Sequence, residues 1–85
     1  MRHVNADDLE RLEPLLRDLR TIDSLRERRP GTFTRRSRAF LHFHADGDEL
    51  LADVRLGEEF ERHPASTETQ RAELLRAIKS ALKGT

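Results

Sequence analysis

The chain has 85 residues, of which 38% are charged and 5% aromatic; sixteen acids balance sixteen lysines and arginines, and there is no cysteine. That is the length of one domain with a small core, and it excludes disulfides and thiolate–metal sites. The longest apolar runs are three residues, too short for a membrane span, and no signal-peptide core follows Met1-Arg2-His3, so a cytoplasmic location is expected.

Asn5 can cap a first helix, with Asp7 and Asp8 in its first turn, where the helix dipole favours acids. Leu9, Leu12, Leu16 and Leu19 follow at spacings of three and four and form one apolar stripe. Pro14 interrupts it and predicts either a kink or a short helix ending near Glu13. Ile22 and Leu25 lead into a linker or short strand, Leu25 to Arg29. Pro30-Gly31 is a turn signal, and Thr32-Phe33-Thr34 reads as a strand. A turn at Arg36-Ser37 sets Phe33 opposite Phe40 and makes the strand through Phe40 central.

The stretch Arg38 to Arg55 reads as a hairpin about a two-residue turn at Asp46-Gly47. Phe43 then faces Leu50, Leu41 faces Ala52, and Ala39 faces Val54, all on one apolar face. The other face pairs His44 with Glu49, His42 with Leu51, Phe40 with Asp53 and Arg38 with Arg55. Gly57 ends that strand, and Glu58 to His63 can add a short edge strand whose acids discourage further pairing. Thr67 and Gln70 have capping-box spacing ahead of a last helix. Leu74, Leu75, Ile78, Ala81 and Leu82 form its stripe, and Gly84 is its stop. The order is helix, antiparallel meander of three to five strands, helix. Both leucine stripes would cover the apolar sheet face, which predicts a single two-layer α+β domain.

The uncovered face carries the candidate functions. Phe33, Phe40 and Leu51 would lie together on it beside His42, His44 and Asp53. An apolar group rimmed by charge marks an interaction surface, so a protein partner or a second copy of the chain is the leading expectation. Charge is also segregated. Arg26 to Arg38 holds six arginines (Arg26, Arg28, Arg29, Arg35, Arg36, Arg38) against one glutamate, whereas Asp46 to Glu61 holds seven acids against one arginine. The arginines could track phosphates, and nucleic acid or another polyanion is the alternative partner. His42 and His44 share a strand face roughly 6–7 Å apart. With Glu49 opposite His44 and Asp53 diagonal to His42, they form a candidate divalent-metal site. No nucleophile stands beside the histidines, and there is no phosphate loop or nucleotide fingerprint. No cofactor and no enzymatic activity are expected.

The run TFTRRSRAFLHFHADGDELLADVRL resembles a group of short proteins from GC-rich bacteria with a PG-x-F, AFLHFH, LLADVRL core between two helices, a group with no assigned activity. It resembles more weakly the MmcQ/YjbR-like and luciferase-associated small domains. The resemblance covers Leu25 to Leu56 and implies the same helix–sheet–helix fold; MmcQ/YjbR-like domains resemble DNA-binding folds, so that weaker resemblance adds slightly to nucleic acid as a partner.

Overall fold

Two helices and six strands make up the computed structural model, which describes residues 1–83. In chain order they are β1 (Arg2–His3), α1 (Ala6–Leu19), β2 (Leu25–Arg29), β3 (Thr32–Arg35), β4 (Arg38–Asp46), β5 (Glu49–Val54), β6 (Glu61–Pro64) and α2 (Glu68–Lys83). Strands β2 to β6 form an antiparallel meander in sequence order. Strand β1, which the sequence reading leaves out, pairs with the far half of β4, Arg2 opposite Ala45 and His3 opposite His44. One edge of β4 is thus shared between β3 and β1, and the other pairs with β5.

Helix α1 starts at the expected cap. The Asn5 side chain accepts from the Asp8 backbone N–H at 2.9 Å, and the Asp8 carboxylate accepts from the Asn5 N–H at 3.0 Å. Arg2 donates to the same carboxylate at 2.6 Å, which ties β1 to the helix. The helix runs unbroken through Pro14 instead of ending near Glu13. Burial explains this. Leu12, Leu15, Leu16 and Leu19 all point into the core. At about 1.5–3 kcal/mol each they outweigh the ~3 kcal/mol that an interior proline costs.

The Arg36-Ser37 turn forms as expected, with Arg35 opposite Arg38 and φ of +53° and +66° at its two central residues, the primed hairpin geometry. The next pairs break the expected register. Thr34 sits opposite Ala39, but Phe33 sits opposite Leu41 and not opposite Phe40. Phe40 is the extra residue of a β-bulge, which breaks strict alternation. Phe40 and Leu41 are therefore both buried, while Ala39 is exposed.

The second hairpin also differs by one step. Asp46 pairs with Glu49, so the turn centres on Gly47-Asp48, with Gly47 at φ +62° in the first central position. Moving a turn by one residue moves every partner by two. The faces are unchanged, but Phe43 now faces Ala52, Leu41 faces Val54, His44 faces Leu51 and His42 faces Asp53.

The C-terminal helix is capped as predicted, Thr67 Oγ1 accepting from the Gln70 N–H and Gln70 Oε1 from the Thr67 N–H, both at 3.1 Å. Leu74 and Ile78 are buried, whereas Leu75, Ala81 and Leu82 are half-buried; the expected stop at Gly84 lies outside the described residues. Both helices share one core cluster with Phe33, Phe40, Leu41, Phe43, Ala45, Leu50, Ala52 and Val54, so they lie on the same sheet face. The domain is two-layered, and among the described residues no helix lies on the other sheet face. No helix among the described residues is long and apolar enough to cross a membrane.

Candidate functional site

On the uncovered face, alternation along β4 presents His42 and His44, and alternation along β5 presents Leu51 and Asp53. Asp53 is the hub. Its Oδ2 lies 2.9 Å from His44 Nε2 and 3.4 Å from His42 Nε2. From the opposite side Arg62, its partner across β6, donates Nε to Oδ1 at 2.9 Å and Nη2 to Oδ2 at 3.1 Å. The two imidazoles meet edge to face with centroids 4.7 Å apart. One imidazole nitrogen each from His42 and His44 and a carboxylate oxygen of Asp53 all lie within 4.8 Å of one another.

The cluster differs from the expected one in two ways. Glu49 is not in it. The shifted turn puts Glu49 opposite Asp46 at the exposed hairpin end and brings Asp53, expected on the diagonal, directly opposite His42. His3 joins it from β1. Its ring centroid is 6.2 Å from that of His44. The signal for β1 was slight: two residues and Val4 before the Asn5 cap.

Electrostatics favour an ionised Asp53 and a neutral His42. Arg62's hydrogen bonds hold the Asp53 carboxyl below the usual carboxylate range, against the opposing effect of its burial. Burial, and then the neighbouring His44, hold the His42 imidazole below the ordinary histidine range in spite of Asp53. A neutral imidazole and an ionised carboxylate are the protonation states in which these groups ligate a metal.

The expected apolar group on this face is absent. Phe33 and Phe40 are 1% and 2% exposed, in the core, because the bulge turns Phe40 inward and pairs Phe33 with core-facing Leu41. Leu51 remains on the face and is half-buried. Phe60, unremarked in the sequence, is 41% exposed and packs against His42 at 5.6 Å and under the Arg55 guanidinium at 4.6 Å.

The six arginines fall into two groups that meet at Arg36, with Arg29 apart. Arg26 and Arg28 lie along the outer strand β2, and Arg29 sits at the far end of β2 by Pro30-Gly31. Arg35, Arg36 and Arg38 gather at the β3–β4 turn, where Arg55 from the end of β5 joins them.

Compared with protein-family models, with curated proteins and with solved structures, the chain matches none.

Proposed function

We propose that the protein is a binding domain, not an enzyme, whose working surface is the uncovered sheet face, and that His42, His44 and Asp53 there hold a divalent transition-metal ion of the zinc or nickel class. The observation that carries this reading is the approach of both imidazole Nε2 atoms to one carboxylate oxygen, at 2.9 and 3.4 Å. Ligands about 2.0–2.1 Å from a tetrahedral ion stand roughly 3.3 Å from one another, so both separations are close to those of a coordination shell. Arg62 stands where an outer-shell partner orients a ligating carboxylate. His3 stands opposite His44 with its ring centroid 6.2 Å away, outside the three-donor group, so water would complete the shell. A site on a sheet surface, outside any enclosed cavity, fits binding better than turnover.

Titrating zinc into the protein near pH 7.5, with the imidazole nitrogens followed by NMR, tests the reading. A one-to-one endpoint is expected, with His42 and His44 shifted and His63, which contacts Glu61 at 3.2 Å, unmoved. The His42→Ala, His44→Ala double variant should lose the endpoint while melting like the parent. Binding should weaken as pH falls below the ordinary histidine value, about 6.5, because burial holds the His42 imidazole under it. No shift of His42 and His44 at stoichiometric zinc overturns the proposal. So does light scattering that shows a metal-independent dimer closing over this face.

A further inference from the structure

A second site lies at the β3–β4 turn, away from the histidines. Four arginines line a concavity of about 120 Å³ there: Arg35, Arg36 and Arg38 from the turn and Arg55 from the end of β5, with Gly57 beside them and no acid in the lining. Among the described residues, no carboxylate lies within ion-pair distance of Arg36, Arg38 or Arg55. Arg55 is held in place. Its guanidinium stacks over Phe60 at 4.6 Å, and its backbone N–H donates to the Phe40 carbonyl at 2.8 Å. The Arg55 Nε is nonetheless buried with no hydrogen-bond partner. A buried N–H left unmade is costly.

The backbone points the same way. Arg36 and Ser37 both occupy the left-handed region, where Asn-Gly would sit with less strain. Strain kept at a charged turn fits a side chain required at that spot.

We propose that this arginine concavity binds one tetrahedral oxyanion, phosphate or the phosphoryl group of a monoester. Charge sets the class: arginines and no acid line a shallow concavity, which suits a compact oxyanion. The guanidiniums of Arg36, Arg38 and Arg55 offer forked donors, the geometry that suits phosphate oxygens. A nucleic-acid backbone fits less well, since it needs a row of contacts. The row here is short: Arg36 also lines a neighbouring concavity with Arg26 and Arg28, but Asp23 stands in that concavity and Arg29 lies at the opposite end of its strand.

The test titrates inorganic phosphate, and separately phenyl phosphate, into the protein at constant ionic strength, with the arginine Nε–H signals and backbone amides followed by NMR. Saturable shifts of the Arg55 Nε–H and the Gly57 amide are expected with both probes. Arg36→Ala and Arg38→Ala, at exposed positions, should each weaken binding about tenfold without changing the melt. Saturation with phosphate alone would place a free ion there, and saturation with both would place the ester group; either supports the site. Shifts that rise linearly and equally at all arginines, as in chloride, overturn it. So does binding of a short single-stranded oligonucleotide without any response to phosphate.

Discussion

Replacing Phe40 separates a bulged strand from a strictly alternating one. In the structure Phe40 is 2% exposed and Ala39 is exposed; strict alternation would reverse the two. Truncating a buried phenylalanine to alanine costs ~3–5 kcal/mol. A domain of this length has only ~4–13 kcal/mol of stability in total, so alanine risks unfolding it outright. Phe40→Leu keeps most of the apolar bulk and should cost about 1–2 kcal/mol. At ~4–8 °C per kcal/mol for a domain this small, the melting midpoint should fall by roughly 4–16 °C. Ala39→Ser and Phe60→Leu, both at exposed positions, should each stay within about 0.5 kcal/mol. Urea titration followed by circular dichroism, with a thermal melt beside it, measures all three. A Phe40→Leu variant no less stable than Phe60→Leu would refute the bulge and return Phe40 to the open face.

Two further outcomes follow from local geometry. Asp8 is held below the usual carboxylate range, first by the Arg2 hydrogen bond and then by the Asn5 N–H. A depressed pKa stabilises the fold above the unfolded value, about 3.9, and that contribution disappears as pH falls through the lower folded value. Asp8→Asn should therefore flatten the loss of stability below about pH 4, read from urea midpoints across pH; an unchanged acid limb would count against the Arg2–Asp8 pairing. Ser37→Gly should raise stability by about 0.5–1 kcal/mol, because the strain relieved at φ +66° exceeds the added chain entropy of glycine. A lower melting temperature would contradict the assigned turn geometry.

Much of the fold can be read from local chemistry. Asn5 with Asp8 and Thr67 with Gln70 mark the helix starts, and the leucine spacings give the helix faces that pack on the sheet. The open-face partners of the histidines were harder to read, for two reasons of register. Asp46, Gly47 and Asp48 all suit a tight turn, so local preference alone does not choose between Asp46-Gly47 and Gly47-Asp48. That choice decides whether Glu49 or Asp53 meets the histidines. The bulge at Phe40 has no glycine to announce it. It becomes apparent only in the pairing, where Phe33 meets Leu41 while Thr34 meets Ala39. His3 escaped notice because a two-residue strand has too little pattern to register, and its position comes from β4, which is longer than β3 and leaves an edge for it.

The topology also orders the folding of the chain in time. Strands β2 through β6 each pair with their immediate neighbour in sequence across short connections, so the meander closes loops of only a few residues at each step. Chains dominated by such near contacts fold fast, because little loop entropy is lost before pairing is rewarded. Contacts between distant parts of the chain are added on top of this meander: β1 on β4, both helices on the core they share with the sheet, and Arg11 reaching the Asp48 and Ser66 carbonyls. Strand β1 has only two residues and pairs with β4, so His3 reaches the histidine cluster only where β4 is already in place.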